Sequence, residues 1–417
     1  MKKILSILGV AALIMALSSC HKDEDFTASI FKTDTPVVDK DLATAPFDQW
    51  LYDNFLVPYN VEVQYKFNFP ASDKNFLLTP AEYGRSQLLA HFIRYLFYDV
   101  YTKYAGDNFM KQYGPRIFHF IGSTGYSPTT GTEVLGTAAG GVKITLYNVN
   151  EIKPWSPTVS YSGEDVELLN ERIFHTMHHE FSHILHQTKS YPVTFGQVTS
   201  GTYDPITWQE RDSTTTHQFG YVTHYASSAT YEDFVETLSC IITDTDHRWM
   251  NRIINACLPG LRAGDKERVL TLVDSLGIDP AKAGAPWNNF TVFEESECDE
   301  TTGEYTSTGR YVLDVFRSAE TVYVMVNGNW KEFNKYKYTN PKSFTSFKNE
   351  FLPWVSIATD ENLAGMNAML KKIDIATEWY TDRWGLHVFE LREEVRQRQN
   401  AINTYLKSGD VQIYSLD

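Results

Sequence analysis

Asn170 to Thr188 reads NERIFHTMHHEFSHILHQT, and the rest of the chain is best understood from there. Ile173, Met177, Phe181, Ile184 and Thr188 recur at spacings of three and four, which predicts a helix that buries them on one side. Within it, His179-Glu180-Phe181-Ser182-His183 has the form H-E-x-x-H. A helix turns about 100° per residue, so His179 and His183 stand one above the other on a second face. Two imidazoles at that separation can hold one Zn²⁺. Glu180 beside them can take a proton from a water at the ion without itself ligating it. An accidental match is more at home on a solvated loop than in an amphipathic stretch carrying five histidines.

A catalytic zinc takes three protein ligands and keeps one position open. His186 and His175 share the face of His179, but one straight helix rarely wraps three side chains around a tetrahedral ion. His217, His224 and His247 are downstream alternatives. The better candidate lies in Tyr225 to Glu236, YASSATYEDFVE. Tyr231, Val235, Leu238 and Ile242 recur helically, which aligns Glu232 with Glu236 one turn later. Such an E-x-x-x-E pair after HExxH matches the division of labour in gluzincins. There the first carboxylate binds zinc and the second steadies a zinc-bound histidine through its other ring nitrogen. The competing reading is two solvated acids favouring the dipole at a helix start.

Toward the N-terminus, Lys2 and Lys3 precede an apolar run from Ile4 to Leu17, followed by Leu17-Ser18-Ser19-Cys20. The run is short for a membrane span, and its flanks mark a secretory signal over 1–19. Leu-Ser-Ser-Cys resembles a bacterial lipobox, which implies lipidation of Cys20 and an anchor in the outer membrane. The acidic run after it, His21 to Asp25, resembles an export signal toward the cell surface. Residues 20–45 read as tether and linker. Once Lys2 and Lys3 leave with the signal, the formal charge of −15 becomes −17. So acidic a chain repels nucleic acid, which is excluded as a partner. Cys240, Cys257 and Cys298 are odd in number and form no CxxC, so a disulfide framework is not expected.

Between linker and metal helix, Ala45 to Tyr52 reads as a short helix and Asn60 to Asn68 as a half-buried strand. Thr79-Pro80 reads as the cap and first turn of a helix running to about Tyr104, with Leu89, Phe92, Ile93, Leu96 and Phe97 inward. Pro115 to Ile121 and Gly140 to Tyr147 are two further strands. The last of these, with Gly141, Val142, Lys143 and Ile144, is the expected sheet edge against which an extended substrate would add by backbone hydrogen bonds. After the metal segments, 277–359 reads as a β-meander insertion. Asn327-Gly328 between apolar runs is its hairpin signal. Ala364 to about Leu406 is a closing helical pair.

The fold class that follows is α+β: a zincin-like metallopeptidase lobe over 46–260, with a mixed sheet, a long helix and the HExxH helix. The helical C-terminal region, 261–417, carries the β-rich insertion. Tyr225…Tyr231-Glu232-x-Phe234-x-Glu236 resembles lethal-factor-type gluzincins, a likeness that implies catalytic assistance by Tyr225. The wider chain resembles the substrate import-associated zinc metallohydrolase lipoproteins. The matching pieces include Asp48-Gln49-Trp50-Leu51, Gly140-Gly141-x-Lys143-Ile144, the HEFSHILHQ block and Trp384-Gly385. That resemblance implies one Zn²⁺, a peptide or protein substrate, and a place beside a TonB-dependent importer and its partner lipoprotein. Two rival functions share the same residues: non-hydrolytic capture of nutrients at the cell surface, and hydrolysis of a non-peptide amide or ester.

Overall fold

A capping box starts the metal helix earlier than its apolar periodicity does. The Ser162 side chain accepts from the Asp165 N–H, and Asp165 accepts from the Ser162 N–H in return. The structure is a computed structural model. It describes residues 38–126, 131, 133–134, 136–139, 142–256, 264–265, 291–298, 305–314, 321–326, 329–334 and 364–416. Cys20, the signal-like run before it and Gly141 lie outside the described residues.

The chain opens on helix α1 (Ala45–Leu51), extended by a π turn (Tyr52–Leu56) and a last turn (Val57–Tyr59). Strand β1 (Glu62–Gln64) is shorter than expected. The alternation around it is nonetheless that of burial, with Val61, Val63 and Tyr65 all inside. Helix α2 (Tyr83–Ile93) passes through a π turn (Arg94–Tyr98) into a final segment (Asp99–Ala105). Thr79-Pro80 does not start it: Pro80 bridges Ile121, and the Thr79 carbonyl accepts from Gly122 N–H at 2.9 Å. Proline has no N–H to give, and its own carbonyl accepts from the Asn150 side-chain amide at 3.1 Å. Leu89, Phe92, Ile93, Leu96 and Phe97 are all fully buried, as their spacing predicts.

After α3 (Asp107–Tyr113) come β2 (Ile117–Phe120), β3 (Gly125–Tyr126), β4 (Glu133–Val134), β5 (Gly136–Ala139) and β6 (Lys143–Leu146). The main sheet has the order β1-β2-β6-β5, with β1, β2 and β6 parallel and β5 antiparallel. This corrects the expected edge. Lys143 and Ile144 lie on β6, which is paired on both sides, and Val142 sits in the turn before it. Among the described residues the sheet ends on that side with β5 and on the other with β1. The β5 sequence, Gly-Thr-Ala-Ala, carries too little apolar or β-branched material to announce a strand. Phe118, Phe120, Ile144 and Leu146 from one face of β2 and β6 join the helical core.

Helix α4 (Gly163–Leu169) runs through a π turn (Asn170–Phe174) into α5 (His175–Thr188), the HExxH helix. Then follow α6 (Ser213–Gln218), α7 (Thr230–Thr243) and α8 (Asp246–Ala256). Within the region read as an insertion, β8 (Thr291–Cys298) and β9 (Tyr305–Asp314) pair, and β7 (Gly264–Asp265), from before that region, joins them in a sheet of order β7-β9-β8. Strands β10 (Thr321–Val326) and β11 (Asn329–Asn334) pair antiparallel with Val326 opposite Asn329, the register an Asn-Gly hairpin gives. Helices α9 (Ala364–Trp384) and α10 (Val388–Asn400), with a short turn of helix (Ile402–Leu406), are the closing helices.

One side of α5 and the middle of α2 meet through rings: Phe97 lies 5.3 Å from Phe181 and 5.1 Å from Tyr101. Deleting a fully buried ring removes its transfer energy and leaves a cavity. Phe97→Ala is expected to cost about 3–5 kcal/mol in urea unfolding, with an unchanged dependence on denaturant.

Candidate metal centre

Two helices present facing rows of side chains. On α5, His175, His179 and His183 recur every fourth residue, and on α7 so do Glu232, Glu236 and Cys240. The rows run antiparallel, so His183 meets Glu232 while His175 meets Glu236. Every residue of α7 from Glu232 to Thr243 is buried, so its carboxylates need partners that offset lost hydration.

Glu232 Oε2 lies 3.1 Å from His179 Nε2 and 3.2 Å from His183 Nε2, and the two ring nitrogens are 3.2 Å apart. Zn–N bonds of about 2.0–2.1 Å in a tetrahedron require ligand atoms about 3.3 Å apart. The triangle therefore already has the dimensions of a zinc site, and two imidazoles with one carboxylate are a catalytic donor set. Without a cation, the two carboxylates favour the charged form of His179. Burial alone would lower it, but hydrogen bonds to Glu232 and Glu236 push it up to about 10. Burial acts on Glu232 in the opposite sense, yet the two histidines hold it down at about 2. A bound cation would take over that charge and leave both rings neutral.

Behind the triangle, His179 Nδ1–H donates to Glu236 Oε1 at 2.7 Å, which turns Nε2 toward Glu232. Oε1 also accepts from His175 Nε2–H at 2.8 Å, and Oε2 accepts from the Thr223 hydroxyl at 2.6 Å. His183 is fixed from behind by His186, with Nδ1 and Nε2 3.0 Å apart. The Tyr225 ring stacks on His179 at 5.8 Å, and its hydroxyl feels the charge of Glu232. Burial, then the Glu232 charge, raises the phenol above its ordinary value and keeps it protonated. Trp208 packs 4.9 Å from the Tyr225 ring and stacks on His224. A cavity of about 1140 Å³ opens on this centre, lined by Glu180, His179, Tyr225 and Trp208, with Gly136 and Val134 on the strand side.

A model of the family described as "putative zinc-binding metallo-peptidase" matches residues 40–279, more than half of the sequence. The chain belongs to this family. A crystal structure of a putative zinc-binding metallo-peptidase from Bacteroides caccae is similar in fold. It has a TM-score of 0.52 at 21% identity, over 92% of this chain and 100% of that one. No curated protein matches.

Within this metallo-peptidase the structure brings together His179, His183, Glu232, Glu236, Glu180 and Tyr225, all singled out by sequence. His186 is not part of the triangle: it braces His183 through the far ring nitrogen. His217 donates through Nε2 to the Val222 carbonyl, and His224 stacks on Trp208. Three partners escaped the sequence reading: Thr223, Trp208 and the contact of His175 with Glu236. No periodicity marks the first two, which lie outside regular helices. His175 was placed on the right face but had no partner to pair with until α7 was in position.

Because Glu236 orients a ring that faces the triangle, Glu236→Ala is expected to weaken Zn²⁺ binding about 10–100-fold in chelator competition, with the fold intact by circular dichroism.

Proposed function

We propose that this protein is a gluzincin-type zinc peptidase in which His179, His183 and Glu232 hold one Zn²⁺. The observation that carries this reading is the 3.1–3.2 Å triangle of their ligand atoms, with Glu180 on the wall of the same cavity. Zn²⁺ bound there supplies a Lewis acid that acidifies water and polarises a carbonyl. Glu180 accepts a proton from the attacking water and returns it to the leaving nitrogen as the peptide bond breaks. The Tyr225 phenol, kept protonated by its surroundings, turns from Glu232 to donate to the carbonyl oxygen as its charge grows. Glu236 holds His179 in the tautomer that directs Nε2 inward.

Substrate lies extended along β5. That strand ends the sheet, and Gly136 borders the cavity. A Cβ at Gly136 would stand 2.1 Å from Cγ2 of Thr176 on α5, so glycine is what lets the edge strand approach the metal helix. Two features of the sequence favour a position on the outer membrane, exposed at the cell surface and working beside an importer: the lipobox ending at Cys20 and the acidic run after it. Retention of Glu180 favours hydrolysis over simple capture, because binding alone requires no base.

Glu180→Gln is expected to abolish cleavage of a broad peptide library while zinc content by mass spectrometry stays at the wild-type level. Wild-type turnover in that variant would remove Glu180 from its role, and activity that survives complete chelation would remove the metal from the mechanism. Gly136→Val is expected to move β5 from α5 and raise KM, again at unchanged zinc content.

A further inference from the structure

The two rows of side chains do not stop at the triangle. One turn further along, His175 on α5 faces Glu236 and Cys240 on α7, and the three potential ligand atoms lie within 4.8 Å of one another. His175 Nε2 and Glu236 Oε1 are already 2.8 Å apart, and both residues line the large cavity, so the position is open to solutes. Cys240 is completely buried behind them, and that burial holds its thiol well above the ordinary value, so an ion is taken there only in exchange for the Cys240 proton. An imidazole, a carboxylate and a thiolate are a donor set for a borderline or soft divalent ion. With bonds of about 2.0–2.3 Å, such an ion asks for ligand separations of about 3.3–3.6 Å. Side-chain adjustments of an ångström or less meet that requirement from the present positions.

We propose that His175, Glu236 and Cys240 form a second divalent-cation site of the thiophilic class (Zn²⁺, Co²⁺ or Cd²⁺), and that its occupancy inhibits the centre beside it. Binding replaces the His175-to-Glu236 hydrogen bond with two metal bonds and releases the Cys240 proton to solvent. Glu236 Oε1 then serves the second ion as well as the Nδ1–H of His179, so the carboxylate that steadies His179 is drawn away and a second positive charge is placed close by. The inhibitory half rests on the function proposed above; the binding half does not.

The test is a Co²⁺ titration of the full chain after removal of metal with a chelator. Two equivalents are expected, one of them with a near-ultraviolet thiolate-to-cobalt charge-transfer band. Cys240→Ser should lose the band and keep one equivalent, and His175→Ala, changed at a partly exposed position, should lose the band as well. A folded wild-type chain that takes one equivalent without the band overturns the site, as does a band that persists in Cys240→Ser. Zn²⁺ beyond the first equivalent should inhibit wild-type peptidase and spare Cys240→Ser. Two bound equivalents without such inhibition overturn the regulatory half. Two equivalents in a protein with no peptidase activity sustain the second site while removing the proposed function.

Discussion

Three carboxylates buried on one helix, Glu232, Asp233 and Glu236, are the constraint around which this molecule is built. A buried charge without a partner is costly, and each of these has found one by a different route. Glu232 faces two imidazoles, and Glu236 collects donors from His179, His175 and Thr223. Asp233 points to the other side of α7 and pairs with Lys372 at 2.6 Å, with a second hydrogen bond from the Tyr203 hydroxyl. Lys372 also donates to the Gly220 carbonyl and lies over the Tyr221 ring. The helix that carries Glu232 is thus held between the HExxH helix on one face and the closing helix α9 on the other.

This arrangement explains how a metal site can be rigid without being built from one segment. The α5 side of the centre is stiffened by ring packing against α2 and α3, where Phe181 meets Phe97 and Tyr101 on the first and Phe109 on the second. His178, adjacent to His179, faces that core and bonds the Tyr101 hydroxyl at 3.0 Å instead of joining the triangle. Neighbouring histidines on one helix therefore do different work according to the face on which they fall.

Much of the centre was legible in the sequence because it obeys local periodicity. H-E-x-x-H and E-x-x-x-E each put two side chains on one helical face, and neither requires knowledge of the rest of the fold. Hairpin pairing across Asn327-Gly328 was legible for the same reason. What was not legible depends on tertiary placement. The edge strand Gly136–Ala139 carries almost no side-chain signal and exists because β6 offers it a partner. Thr79-Pro80 has the letters of a helix start, but Gly122 takes the Thr79 carbonyl and the Asn150 side chain takes that of Pro80. The cap at Ser162 and Asp165 lies ahead of the quoted stretch, on an acidic turn that its apolar spacing does not reach. The expectation that the strand before the metal helix would be the outermost one failed because the segment preceding it doubles back beside it.

The Lys372 contact has a consequence for the order in which the molecule is made. A ribosome that has released the chain only as far as Ala256 has delivered both rows of metal-facing side chains, yet Asp233 then lacks its cation and α7 has only one of its two supports. The missing ammonium arrives after more than a hundred further residues have been translated. A nascent or truncated polypeptide therefore holds the chemical groups of the centre without the scaffold that fixes them.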